Sequence, residues 1–241
     1  MRVLVVTAVP AERDAVTAVA GPPPREVRLP GGTLLHRVRP GDADGPVLDV
    51  LAAGVGPAAA AAGAATALTA AAVTGEPYEL VIAAGIAGGF APRAALGAVV
   101  VSDTIVAPDL GAQSSDGGFL SLDELGFGVI EHRVPERLAR TVAEATGGVR
   151  GAVLTVTSAT GTAERAAELT ARHPDAVAEG MEGFGVAEAA VAHRVPVVEL
   201  RAVSNAVGPR DRGAWRIGVA LTALTGAFRR LSPVLEPEVL T

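Results

Sequence analysis

The first group in this sequence that could do chemistry is the carboxylate of Glu12. It lies in the segment 7–12 (Thr-Ala-Val-Pro-Ala-Glu), where an apolar run ends and a helix is expected to begin. A carboxylate in the first helical turn complements the helix dipole, and this structural role is common. The same carboxylate could act as a general base toward water. This segment alone leaves both interpretations open.

Two glycine-rich segments could hold a polar ligand. Residues 84–90 place glycines at positions 85, 88 and 89 after an apolar run, where bare backbone could approach a ligand, although a tight turn explains them equally. Residues 179–185 flank Glu182 with glycines. An ionised carboxylate can accept hydrogen bonds from both hydroxyls of a vicinal diol. A helix start that needs small residues for packing is the alternative for the second segment.

The last candidate segment is a polar cluster after an apolar run. It contains Arg201, Ser204 and Asn205, and Arg210 and Arg212 follow in the next loop. A side-chain amide offers one hydrogen-bond donor and one acceptor. That pair matches a 6-oxopurine base, whose O6 accepts a hydrogen bond and whose protonated N7 donates one.

The elements that must position these groups alternate along the chain. β-branched runs predict strands over residues 2–7, 34–38, 47–53, 80–84, 98–106, 153–156, 176–178 and 195–203. Ala-rich stretches predict helices over residues 10–19, 57–73, 135–146, 163–172, 182–193 and 214–231. Such alternation indicates one α/β domain over residues 1–241, with a largely parallel sheet covered by helices on both faces. Ligands bind beyond the carboxyl ends of the strands in such sheets, which is where the four segments fall.

Three details of this pattern are testable against a structure. In the last helix, Ile217, Leu221, Leu224 and Phe228 form one apolar stripe that should be buried. The three prolines at positions 22 to 24 predict a surface turn. Residues 108–128 predict a long polar loop, and loops of that length are usually functional or disordered.

Composition excludes several classes of protein. The absence of lysine removes Schiff-base chemistry and a P-loop lysine, and the absence of cysteine removes disulfides and thiolate chemistry. A net charge of -6 without a basic cluster argues against nucleic acid and anionic membranes as partners. The four histidines lack the spacing of metal ligands, so neither a metal nor a cofactor is expected.

Residues 50–75 are uncharged but do not predict a membrane span. They are mostly Ala, Gly and Thr, which gain little in hydrocarbon, and Pro57 interrupts them. A strand followed by a helix that opens at Pro57 explains them better. The chain begins with an apolar run too short for a secretory signal, so we expect a soluble, cytoplasmic protein.

The order and spacing of these segments resemble the nucleoside phosphorylase and nucleosidase superfamily, in particular methylthioadenosine/S-adenosylhomocysteine nucleosidases. The shared features are the strand-then-glutamate start, GxAGG with Ala-Pro over residues 85–92, LGxVVVSD over 96–103, MEG over 181–183 and RAxS over 201–204. EGMEGFGVAEAA (179–190) and ELRAVSNAVGPRDRGAWRIG (199–218) resemble the futalosine hydrolase family more closely still.

This resemblance implies a three-layer α/β/α sandwich with a mixed, partly barrel-like central sheet, assembled as a homo-oligomer built on dimers. It also implies that Glu12 deprotonates the attacking water, and that Glu182 binds the ribose hydroxyls with Met181 against the sugar. Arg201 and Ser204 are expected to orient the water and the carboxylates. The other expected substrate-binding residues are Gly85, Ile86, Ala87, Gly88, Thr160 and Phe184. An arginine is expected for the benzoate carboxylate of futalosine, and Arg210 and Arg212 are candidates because they follow Asn205 in the chain.

Two departures from the nucleosidase pattern stand out. Asn205 occupies the position of a purine-binding aspartate; it can donate to O6 and accept from N7–H, so hypoxanthine should fit and adenine should bind poorly. Asn205 cannot supply a proton as an acid, which leaves the N7 proton donor open. Residues 158–162 lack the aromatic that stacks on the base in nucleosidases, so Phe90, Phe184 or a residue of a second subunit is expected to replace it.

The expected reaction is hydrolysis of the N-glycosidic bond of futalosine in menaquinone biosynthesis, releasing hypoxanthine and dehypoxanthine futalosine. One alternative is another purine nucleosidase or a phosphorylase, of the methylthioadenosine/S-adenosylhomocysteine or inosine type. A phosphorylase needs arginines around phosphate, and the GDPxR-type motif of this superfamily is absent. A second alternative is a nucleoside-binding relative without catalysis, which would not need Glu12.

Overall fold

A computed structural model describes residues 1–41 and 45–240 of the chain. The strands within these residues are β1 (Arg2–Thr7), β2 (Arg25–Arg28), β3 (Leu34–Val38), β4 (Val47–Ala52), β5 (Leu80–Gly89), β6 (Val99–Val106), β7 (Gly111–Gln113), β8 (Phe119–Ser121), β9 (Glu131–Arg133), β10 (Val149–Thr155), β11 (Ala176–Gly180) and β12 (Val197–Ala206). The α-helices are α1 (Pro10–Thr17), α2 (Pro57–Val73), α3 (Glu136–Thr146), α4 (Ala163–Arg172), α5 (Gly183–Ala192) and α6 (Ile217–Leu231).

The main sheet is mixed, as predicted. Its strand order is β11-β10-β6-β12-β5-β1-β4-β3-β2, and β9 pairs with β6. The pairs β1–β4, β1–β5, β12–β5, β10–β6 and β10–β11 are parallel, whereas β12–β6 and β3–β4 are antiparallel. Because β11 also pairs with β5, the strands β5, β12, β6, β10 and β11 close into a small barrel.

Strand β5 joins the open part of the sheet to this barrel. Its first half pairs with β1 through Leu80 to Ala83, and its end pairs with β11 at Gly88 and Gly89. The tight turn considered as one explanation of residues 84–90 is therefore wrong, because the glycines at positions 85, 88 and 89 continue the strand. A Cβ at Gly89 would lie 2.5 Å from the carbonyl oxygen of Ala94, so close backbone approach explains a glycine in this central strand.

Helices cover the sheet in two groups: α2 packs against α5, whereas α6 packs against α1 and α3. This is the predicted α/β architecture. The core is built mainly of Val, Leu and Ala, in keeping with an aromatic content of 3%. Helix α2 begins at Pro57 as predicted, because proline lacks the N–H that is unpaired at a first helical position.

Several predicted details are wrong. Strands β2 and β9 were not predicted, and the supposed loop over residues 108–128 contains the hairpin β7–β8. These strands are only three or four residues long, mostly exposed and polar, so they carry little apolar alternation. In α6, Leu224 and Phe228 are buried but Ile217 is 43% exposed, because the helix starts at that residue.

The uncharged residues 50–75 form the end of β4 and all of α2, as predicted. Across residues 1–41 and 45–240, no helix combines the length and apolar character needed to cross a membrane.

Candidate active site

A cavity of about 450 Å³ opens where β5 leaves β1 and joins β11. The predicted site residues that line it are Glu12, Ile86, Ala87, Gly88, Thr160, Met181, Glu182, Ser204, Asn205 and Arg210. Lining residues not predicted as site residues include Val55, Glu179, Asp211 and Trp215. A larger cavity, of about 830 Å³, lies between α2 and strands β2 and β3 and contains none of the predicted site residues.

Glu12 lies at the floor of the cavity and is only 3% exposed. Its Oε2 accepts hydrogen bonds from the backbone N–H groups of Ala8 (2.9 Å) and Val9 (3.2 Å). Its Oε1 accepts one from the N–H of Ile86 in β5 (2.8 Å). A glutamate in the first turn commonly binds the amides that precede the helix, and here the same contacts fix the carboxylate against β5.

Gly85 makes this contact between α1 and β5 possible. A Cβ at this position would lie 2.5 Å from Oε1 of Glu12 and 2.7 Å from Nη1 of Arg201. Gly85 does not line the cavity but leaves room for the two charged groups beside it. A glycine here therefore reflects close packing within a strand.

Glu182 and Arg201 form a buried ion pair beside Glu12. Nη1 of Arg201 lies 3.1 Å from Oε2 of Glu182, and the two side chains are 1% and 6% exposed. Oε1 of Glu182 accepts from the N–H of Gly56 at 3.1 Å. Because Glu182 is the N-cap residue of α5, the helix dipole also favours its negative charge. Arg201 itself is not part of the cavity lining.

A third carboxylate, Glu199, holds the other side of the Arg201 guanidinium. Nε of Arg201 donates to Oε1 of Glu199 at 2.7 Å, and Glu199 is fully buried. Burial raises the pKa of Glu199, and the charge of Arg201 opposes that rise. Burial lowers the pKa of Arg201, but Glu199, Glu182 and Glu12 outweigh it and raise that pKa. Glu199 was not predicted as a site residue, although a charged residue inside an apolar strand is a signal that could have identified it.

Ser204 and Asn205 both line the cavity although they are neighbours in β12. In a regular strand their side chains would point to opposite faces. Here Val203 pairs with Ala87 and Asn205 pairs with Gly88, so Ser204 is the extra residue of a β-bulge. The bulge turns the amide of Asn205 toward the cavity.

The hydrogen bonds of Ser204 differ from the expectation that it orients carboxylates. Its hydroxyl oxygen lies 2.8 Å from Oδ1 of Asn205 and 3.2 Å from the carbonyl oxygen of Ala87. Nδ2 of Asn205 donates to the carbonyl oxygen of Ala206 at 3.0 Å. Each end of the amide keeps further hydrogen-bonding capacity, one N–H on Nδ2 and one lone pair on Oδ1.

Glu179 and Thr160 meet on the opposite wall of the cavity. Oε1 of Glu179 accepts from the N–H of Thr160 at 2.8 Å, and Oε2 accepts from the Thr160 hydroxyl. Burial raises the pKa of Glu179, and the hydrogen bonds from Thr160 oppose that rise.

Among the described residues, the aromatic ring that lines the cavity is Trp215 and not Phe90 or Phe184; a ring from a second subunit stays a prediction. Phe184 packs against the ring of His132 with centroids 5.1 Å apart, and Phe90 is buried in an apolar cluster; neither lines the cavity. Trp215 lines it, and the guanidinium carbon of Arg210 lies 5.6 Å from its ring centroid. The corresponding distance for Arg212 is 6.0 Å. The sequence carried a signal for this residue, since Trp215 is its only tryptophan.

Comparison with known proteins identifies the family of this chain. A family model described as the phosphorylase superfamily matches residues 2–218. A futalosine hydrolase from Streptomyces coelicolor is 61% identical over 236 residues, which cover 98% of this chain and 97% of that protein. This chain belongs to the futalosine hydrolase family of the phosphorylase superfamily. The resemblance inferred from the sequence is therefore confirmed.

A more distant sequence relative and two solved structures are also similar to this chain. A futalosine hydrolase from Acidothermus cellulolyticus is 46% identical over 64% of each chain. The native futalosine hydrolase structure from Helicobacter pylori has a TM-score of 0.81 at 16% identity, covering 98% of both chains. A methylthioadenosine/S-adenosylhomocysteine nucleosidase from Colwellia psychrerythraea, in complex with adenine, has a TM-score of 0.82 at 20% identity, covering 100% of this chain and 98% of that one.

Proposed function

We propose that this protein hydrolyses the N-glycosidic bond of futalosine and releases hypoxanthine, as a step of menaquinone biosynthesis. The observation that carries this proposal is one cavity lined by two carboxylates and a side-chain amide, those of Glu12, Glu182 and Asn205. Family membership supports the choice of substrate, because the S. coelicolor relative is a futalosine hydrolase.

Glu12 is the proposed general base. Three backbone N–H groups hold its carboxylate, and a carboxylate has about four lone-pair sites, so acceptor capacity remains for the hydrogen of an attacking water. A general base of this kind contributes roughly 10²–10⁴-fold to the rate. The fixed orientation matters because the water must attack the sugar carbon as the base departs.

Glu182 is the proposed ligand of the ribose 2′- and 3′-hydroxyls, with Met181 beside the sugar. Glycosidic cleavage passes through an oxocarbenium-like sugar, whose positive charge a nearby carboxylate stabilises. Arg201 orients Glu182 from outside the cavity, and Glu199 balances the guanidinium charge. The carboxylates of the cavity thus keep a negative field around the sugar.

Asn205 is the proposed contact to O6 and N7 of hypoxanthine, with Ser204 fixing the orientation of its amide. Arg210 is the proposed partner of the benzoate carboxylate at the far end of futalosine, and Trp215 offers an aromatic face beside it. Arginine suits this task because its guanidinium binds carboxylates in a bidentate manner. Ile86, Ala87, Gly88 and Thr160 complete the proposed substrate contacts.

Water is the proposed nucleophile because phosphate would be poorly held. A phosphate site needs several arginines, whereas Arg210 is the one arginine in the cavity lining within the described residues. The buried negative charge of Glu12 would also repel phosphate.

The test is to incubate the purified protein with futalosine, inosine and methylthioadenosine, with and without phosphate, and to measure the free base by chromatography. We expect hypoxanthine from futalosine in phosphate-free buffer. Strict dependence on phosphate would instead identify a phosphorylase. A preference for methylthioadenosine would overturn the choice of substrate.

We also propose a cytoplasmic homo-oligomer built on dimers. Helix α2 has no charged residue, yet only Ala60, Ala64, Ala67, Leu68 and Ala71 of it are buried, and Val73 is 81% exposed. An uncharged exposed helix face suits burial against a second copy. Light scattering should give a dimer or a multiple of it, and Val73→Glu should lower the mass. A monomeric wild type would refute this assembly.

A further inference from the structure

We propose that Glu179 binds the N1–H group of the purine and, together with Asn205, selects 6-oxopurines over 6-aminopurines. This inference deepens the function proposed above and rests on it, because it assumes that the base lies beside Asn205. The hydrolytic mechanism gives Glu179 no task, yet this carboxylate lines the same cavity and is only 7% exposed.

The burial of Glu179 needs an explanation. Its carboxylate forms no salt bridge with any residue in the part of the chain that the structure describes, and the charge of Arg165 acts on it only from a longer distance. A buried carboxylate without a cation is unfavourable unless hydrogen bonds replace its hydration. Thr160 supplies two hydrogen bonds, and each carboxylate oxygen can accept one more. A hydrogen-bond donor on the ligand would occupy one of these two remaining acceptor positions.

The sheet register places Glu179 opposite Asn205. Both residues pair with Gly88, Glu179 from β11 on one side of β5 and Asn205 from β12 on the other. Residues paired across adjacent strands point to the same face of the sheet, and two strand spacings separate the two Cα atoms by about 10 Å. A Cβ at Gly88 would lie 2.8 Å from Cγ2 of Val207 and 3.3 Å from Nδ2 of Asn205, so Asn205 lies on the side of β5 toward which that Cβ would point.

We place the flat 6-oxopurine between these two side chains, both of which line the cavity. On hypoxanthine, O6 lies between N7 and N1, so an amide can bind O6 and N7–H while a carboxylate accepts from N1–H. On adenine, N1 carries a lone pair that would face the carboxylate, and the 6-amino group would face Nδ2 of Asn205. Both contacts would then be mismatched, and buried mismatched polar groups reject a ligand strongly.

The test measures binding of free hypoxanthine and free adenine by isothermal titration calorimetry to wild type and to Glu179→Gln. Glutamine keeps the size of the side chain, but its Nε2 can donate to N1 of adenine. We expect the preference for hypoxanthine to fall at least tenfold. The matched control is Glu188→Gln, an exposed glutamate of α5 that bonds His132 outside the cavity; it should leave the preference unchanged.

A folded Glu179→Gln variant that weakens both bases equally would overturn the proposal, because Glu179 would then only anchor Thr160. If the variant does not fold, 1-methylhypoxanthine tests the wild type directly. It lacks N1–H and should bind at least tenfold more weakly than hypoxanthine; equal binding would overturn the proposal. A wild type that releases no hypoxanthine from futalosine refutes the proposed function instead, independently of these binding data.

Discussion

Replacing Gly85 by alanine should disable the proposed general base while leaving the fold intact. The new Cβ would lie 2.5 Å from Oε1 of Glu12, whereas ordinary contact begins near 3.4 Å, so the carboxylate oxygen must move by about 0.9 Å. This movement weakens the hydrogen bond from the N–H of Ile86 to Oε1. A misplacement of about 1 Å can cost about 10²-fold in rate, so we expect kcat to fall by that factor.

The assay is steady-state hydrolysis of futalosine in phosphate-free buffer, with thermal unfolding measured in parallel. KM should rise as well, because the same Cβ would lie 2.7 Å from Nη1 of Arg201, which pairs with Oε2 of Glu182. Overpacking of this kind costs about 1–3 kcal/mol of unfolding free energy, which a stable protein tolerates. Gly218→Ala is the matched control, since an added Cβ there has no neighbour within 4 Å. A folded Gly85→Ala enzyme with kcat within threefold of wild type would refute the reasoning.

Three further predictions follow from the same structure. Glu12→Gln should lower kcat by roughly 10²–10⁴-fold while hypoxanthine still binds; near-normal turnover would show that another group is the base. Asn205→Asp should reduce the preference for hypoxanthine over adenine nucleosides at least tenfold in kcat/KM, and an unchanged ratio would mean that the base is recognised elsewhere. Asp49→Asn, outside the cavity, should lower the free energy of unfolding by about 3 kcal/mol because Arg2 and Arg37 lose a buried partner. Burial raises the pKa of Asp49, but its hydrogen bonds outweigh this and hold the pKa below its ordinary value. The ionised Asp49 therefore stabilises the folded protein fully above about pH 4, and this stabilisation is lost as pH falls through the folded-state pKa. Urea titrations should show the wild type and this variant converging in acid, and a constant difference would contradict the assignment.

The β-branched runs and Ala-rich stretches of the sequence were enough to predict most of the helices and the central strands of the sheet. Helices α2 and α4 have the predicted bounds, which are those of two Ala-rich stretches; Pro57 is the first residue of α2, and the Thr162 side chain caps the start of α4. The glycine-rich end of β5 was not predicted as part of the strand, since glycine is usually a turn residue. Its glycines are explained by what lies against them from other strands and from Glu12.

The sequence by itself determined the family, the α/β class and the residue types of the proposed site, because these depend on local order and spacing. It did not show where the side chain of Asn205 points, and it assigned no role to Glu199 or Glu179. The β-bulge at Ser204 aims the amide of Asn205 at the cavity, and the pairing of β5 with both β11 and β12 brings Glu179 opposite it. Strand register joins residues far apart in the chain, so only the tertiary structure could decide which carboxylates meet Arg201 and which face the base.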